Sequence, residues 1–198
     1  MRLGGALLAV AFLSLGVAAA RGGLSYWHWL KGEMATEELE WDDAGEEFRK
    51  AVALCGQNNQ ALTGLGNLRS TQAGWFRAAD EEEEREGKRA LAEEAETWYG
   101  RALAANPFDA DAMYGMGRSR AAAGDAEGAL RWMKEATETM PTYLFYQNEY
   151  AMTLRDAGRT EEAKTFLDER KKQGPLGDRG AKILKMLERE AGKKANAP

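Results

Sequence analysis

The chain has a single cysteine, Cys55, and a single histidine, His28. A disulfide within the chain is therefore excluded, and a Cys/His zinc site cannot be assembled. Cys55 is expected to behave as a small buried apolar residue rather than a redox centre. No segment shows the apolar/polar alternation of a β-strand, so no sheet is expected to carry an α/β active site. There is no glycine-rich phosphate loop after a strand and no nucleophile elbow. A Ser-His-Asp relay would have to rest on His28, beside the apolar N-terminal stretch. The chain is therefore not expected to be an enzyme, and no cofactor or metal is expected. Basic runs are absent before the tail, and the formal net charge is −5. Nucleic acid, which requires a concentrated basic face, is not an expected partner.

Hydrophobic residues make up 44% and charged residues 30% of the 198, enough apolar material for one folded unit with a core. The first twenty residues stand apart. Arg2 is followed by an uncharged stretch from Leu3 that ends in Ala18-Ala19-Ala20, the pattern of a secretory signal. Residues 3–20 also reach the lower limit for a bilayer-spanning helix, and Trp27 and Trp29 behind them suit a membrane interface. Residues 1–20 are thus either a signal peptide or a single transmembrane anchor. Either alternative places the folded part outside the cytoplasm, in a periplasmic setting.

Only four prolines occur, and Pro107, Pro141 and Pro175 stand 34 residues apart. The same register carries Ala95, Tyr99 and Ala102 before Pro107, then Ala129, Met133 and Ala136 before Pro141. Ala44, Phe48 and Ala51 precede Gly56 in the same way, and Ala163 and Leu167 precede Pro175. Apolar residues at i, i+4 and i+7, closed by a proline stop, define one face of a helix. A period near 34 marks stacked supersecondary units, each unable to bury its apolar face alone.

Leu65-Gly66, Met116-Gly117, the Ala/aromatic/Ala triplets and the three prolines together resemble the tetratricopeptide repeat. The resemblance covers residues 25–177. It implies an all-α fold, a right-handed α-solenoid of about four helical hairpins with a C-terminal capping helix. The expected repeats are 25–58, 59–109, 110–143 and 144–177, with an insertion near 73–91 in the second that prolongs both of its helices. Residues 178–191 are expected to form the capping helix, with Ile183, Leu184 and Leu187 on its apolar face. Residues 192–198 are expected to be a disordered tail.

The resemblance further implies a concave groove lined by the first helix of each hairpin. Counted from Ser25, Asn59, Ala110 and Leu144, the groove-facing positions include Trp29, Asn67, Tyr114, Arg118, Phe145, Asn148, Met152 and Arg155. Glu33, Gln60, Thr63 and Asp111 occupy further such places. Aromatic rings offer contact area at low entropic cost, and amides and guanidinium groups pair with a peptide backbone or with acids. The alternative for Trp29, Tyr114 and Phe145 is that they fill space between repeats. The carboxylate-clamp variety of these repeats is not expected, because Trp29 and Glu33 stand where its first Lys and Asn belong. In the insertion, the five acids Asp80 to Glu84 read as a solvated helix tip. Trp75 and Phe76 either pack internally or provide a second contact.

The expected function is that of a non-catalytic scaffold or adaptor of an extracytoplasmic envelope complex, taking a peptide or helix of a protein subunit in its groove. Self-association and service as an accessory subunit of a membrane polysaccharide or secretion enzyme are the alternatives. Membrane association would run through residues 3–20.

Overall fold

A computed structural model describes the backbone of residues 3–195 and the side chains of residues 14–192. Among the described residues there are nine helices and no strand: α1 (Leu3–Glu37), α2 (Trp41–Leu54), α3 (Asn59–Trp75), α4 (Glu81–Ala105), α5 (Ala110–Ala122), α6 (Ala126–Thr139), α7 (Leu144–Asp156), α8 (Thr160–Gln173) and α9 (Gly177–Ala195). Consecutive helices pair as antiparallel hairpins, α1 also packs on α3, and α3 on α5. The odd-numbered helices therefore form an inner layer and the even-numbered ones an outer layer.

Local chemistry explains where the helices start and stop. Asn58, Asp109 and Asp125 each accept a hydrogen bond from the backbone N–H three residues on, at the starts of α3, α5 and α6, which satisfies a donor that the helix leaves unpaired. The hairpins α5–α6 and α7–α8 turn at Gly124 and Gly158, at φ 81° and 79°, where an L side chain would be strained. In the first hairpin the corresponding turn is made by Leu39, at φ 63°.

Packing follows the 34-residue register. Phe48 of α2 lies against Gly32 of α1 and Gly64 of α3, and a methyl group on either glycine would overlap its ring. Tyr99 of α4 occupies the equivalent place between Gly66 of α3 and Gly115 of α5. Each ring is thus a knob on which three helices meet, and burying one contributes about 1.5–3 kcal/mol. The inner helix α3 is enclosed on nearly all sides, Ala61 to Gly66 being buried without interruption. Outer helices bury a single stripe, such as Ala129, Met133 and Ala136 of α6.

The second hairpin is enlarged, but unevenly. α3 has 17 residues against 13 in α5 and α7, while α4 has 25 against 14 in α2, α6 and α8. The added length therefore falls mainly on the second helix. Its acid run has a structural cause: Asp80 caps α4 by accepting from Glu82 and Glu83 N–H, and Glu81 to Glu84 form the first turn, where the helix dipole favours negative charge.

α9 closes the stack. Ile183, Leu184 and Leu187 are buried in one cluster with Leu154 of α7 and Leu167 of α8. The helix runs to Ala195, beyond the expected end of the cap at residue 191. At the other end α1 continues as one helix from Leu3 into the first hairpin, and every residue from Ser14 to Leu24 is exposed. It is fastened from Ser25 onward, whose buried hydroxyl donates to Ala51 O at 2.8 Å and accepts from Asn58 Nδ2 at 2.8 Å. Among the described residues no helix is long and apolar enough to cross a membrane. The side chains of residues 1–13, which carry most of the expected signal or anchor, lie outside the described residues.

Candidate functional site

The inner face holds an open pocket of about 380 Å³ between α1, α3 and α5. Trp29 and Glu33 come from α1, Gln60, Thr63 and Asn67 from α3, and Asp111 from α5. Phe108 and Met140, in the turns before α5 and α7, stand on its rim and are 78% and 45% exposed. Neither was expected from the register. The signal available for them is an apolar residue beside Pro107 and another beside Pro141, in turns that otherwise favour polar side chains.

Asp109 organises the pocket floor. Its Oδ1 accepts the N–H of Ala112, and its Oδ2 accepts from Asn59 Nδ2 and Thr63 Oγ1, each at 3.0 Å. One carboxylate thus starts α5 and locks it to α3. Asp111 accepts the hydroxyl of Tyr146 at 2.6 Å, and Asn67 that of Tyr99 at 2.9 Å. Glu33 is held above the usual carboxylate range, first by desolvation against the pocket wall and then by the negative charges of Glu37 and Asp111, partly offset by a hydrogen bond from Trp29.

Further along, the groove becomes aromatic. Tyr114 packs edge-on to Phe145 at 5.0 Å and lies 5.8 Å from Tyr146. Arg118 lies over Tyr114 at 5.8 Å, and Arg179 of α9 over Phe145 at 5.9 Å. The Tyr114 hydroxyl donates to Glu149 at 3.3 Å, and Glu149 is also paired with Arg179. Burial, followed by the charge of Glu149, pushes the Tyr114 phenol up to about 12.

Trp29, Asn67, Tyr114, Arg118 and Phe145 thus lie along one face, although the three rings are only half-exposed and also serve packing. Asn148, Met152 and Arg155 depart from the expectation of an open groove. Asn148 is buried, its side chain against Gly180 of α9. Met152 joins the cluster beneath the cap. Arg155 donates toward Met186 Sδ at 3.5 Å and lies 3.9 Å from Glu190. The cause is the place of α9: it lies where the first helix of another repeat would stand, and so covers the last stretch of the inner face.

Trp75 and Phe76 separate. Phe76 packs against Gly87 of α4, whereas Trp75 is 67% exposed and meets Trp41 edge-on at 6.1 Å. His28 hydrogen-bonds Glu47 through Nδ1 at 2.7 Å, and Cys55 is half-buried at the end of α2. No group of three or more metal-ligating side chains that could hold an ion occurs among the described residues.

An all-helical solenoid of antiparallel hairpins, with an inner layer of first helices and an outer layer of second helices, is the class that this geometry defines. Its fold is that of the tetratricopeptide repeat, as solved structures show. A thermophilic TPR protein of Thermus thermophilus superposes with a TM-score of 0.66 at 20% identity, over 89% of this chain and 95% of its own. The first TPR of Spaghetti (RPAP3), bound to the HSP90 peptide SRMEEVD, gives 0.55 at 19% identity, over 69% of this chain and 95% of its own. The O-GlcNAc transferase of Thermobaculum terrenum gives 0.60 at 18% identity over 76% of this chain, which spans 25% of that enzyme. No family model and no curated protein matches the sequence.

Proposed function

We propose that the chain is a non-catalytic interaction scaffold that takes an extended or helical segment of a protein partner into the groove of α1, α3 and α5. One observation carries the proposal. The pocket there is open, walled by three helices whose positions are fixed by buried knobs, and it presents aromatic, amide and carboxylate groups side by side. Such preorganised mixed surfaces bind segments without first paying to order themselves. The Spaghetti neighbour holds an acid-rich peptide. In the present chain Glu33 and Asp111 line the groove, so the partner segment proposed is not of that kind.

The apolar residues 3–20, among them the exposed Leu15 and Val17, and the exposed Leu24 and Trp27 that continue them on α1 support placing the scaffold outside the cytoplasm, as part of an envelope assembly. A photo-reactive amino acid at Gln60 or Arg118, with Arg131 on the outer helix α6 as comparison, tests the groove in native cells. Adducts to the same protein from Gln60 and Arg118, and none from Arg131, are expected. Adducts that form from Arg131 alone would contradict the proposal.

A further inference from the structure

We infer that the pocket between α1, α3 and α5 receives a positively charged side chain, Lys or Arg, from a partner segment that places an apolar residue beside it. The inference rests on the groove being the working face and names what that face selects. Three carboxylates, Glu33, Asp109 and Asp111, converge there, and none of the lining residues is Lys, Arg or His. Further along the groove the carboxylate of Glu149 is matched within the chain, by Arg179. Asp109 and Asp111 contribute to the start of α5, where the helix dipole favours them. Glu33, one turn before the C-terminal end of α1, has no such support, since the dipole there disfavours an acid, and it is further opposed by Glu37 and Asp111. Like charges gathered on a partly desolvated wall are costly in the free protein, and a cation from outside relieves that cost.

A separate observation defines the rest of the ligand. Phe108 and Met140 are exposed on the rim of the same pocket, and contiguous apolar side chains left in water mark a contact surface. Because carboxylates and apolar side chains line the same pocket, a segment that carries a basic residue with an aliphatic one close by would engage both. The acid run of α4 is a competing source of attraction for any cation, but its place at a helix start accounts for it.

The test uses the whole chain and three end-capped fluorescent heptapeptides of glycine and leucine that differ only in carrying lysine, glutamine or glutamate. Anisotropy should show the lysine peptide bound at least about tenfold more tightly than the glutamine one, and the glutamate one more weakly still. Glu33→Gln with Asp111→Asn should abolish that preference. Glu33→Gln alone, which leaves the Tyr146 bond to Asp111 intact, should reduce it without lowering the melting temperature. Glu82→Gln with Glu83→Gln should leave it unchanged. A preference that survives loss of Glu33 and Asp111, or that disappears with Glu82 and Glu83, overturns the inference, as does failure of the lysine peptide to bind. If all three peptides bind alike and Phe108→Ala with Met140→Ala weakens them equally, the cation falls while the groove stands.

Discussion

Leu39 occupies a left-handed backbone position that Gly124 and Gly158 fill in two later hairpins, and its side chain is 57% exposed. Its conformation costs stability that a glycine would not incur. Leu39→Gly is expected to raise stability by about 1 kcal/mol, or roughly 2–4 °C in a thermal melt, whereas Gly158→Ala should lower it by a similar amount. Glu33 gives a second residue-level expectation. Desolvation first, then Glu37 and Asp111, raise its pKa in the folded state. The proton is therefore held more tightly in the folded chain than in the unfolded one, so stability from this group is present at low pH and lost as pH rises through the raised value. Glu33→Gln should increase the melting temperature at neutral pH, and the difference should vanish below the ordinary value of 4.5.

At the scale of helices, the three-way knobs are what turn a repeating sequence into a rigid stack. Gly115→Ala would drive a methyl group into Tyr99, and overpacking of that kind costs about 1–3 kcal/mol. The cost should shrink when Tyr99 is also replaced by Leu, because the ring is the obstacle; equal costs in both backgrounds would show that the glycine matters for another reason. Leu187, fully buried between α9 and the last hairpin, should cost about 2–5 kcal/mol as Ala, read by chemical denaturation.

These elements differ in how far the sequence disclosed them. Pro141 and Pro175, 34 apart, and the Ala/large/Ala stripes reflect packing that repeats, so the hairpins were legible. The uneven enlargement of the second hairpin was not, since helix-forming residues such as those of 81–91 extend either partner equally well. Along the groove, Trp29, Tyr114 and Arg118 lie where the register places them. Arg155 and Asn148 do not, because a repeat count carries no information about what covers the last copy. Asp109 and Phe108 escaped notice for a related reason: both lie in a connecting turn, where position depends on how two repeats meet rather than on the pattern within one.

For the molecule as a whole, a stack of small knobs and glycines fixes a curved inner face that is acidic at one end, aromatic along its middle and sealed by α9 at the other. The outer face differs, with many of its carboxylates paired to nearby Lys or Arg on the surface, as in Lys50 with Glu46 or Arg89 with Glu93, pairs that contribute little individually. The chain has six tryptophans, and they report on different surfaces: Trp29 lies in the pocket, while Trp41 and Trp75 meet near the enlarged hairpin. Fluorine NMR of the protein labelled with 5-fluorotryptophan, assigned by Trp29→Phe and Trp75→Phe, therefore separates the two during titration with the lysine peptide. The account predicts that the Trp29 resonance shifts while those of Trp41 and Trp75 stay in place. Movement of Trp41 and Trp75 with Trp29 unchanged would contradict it.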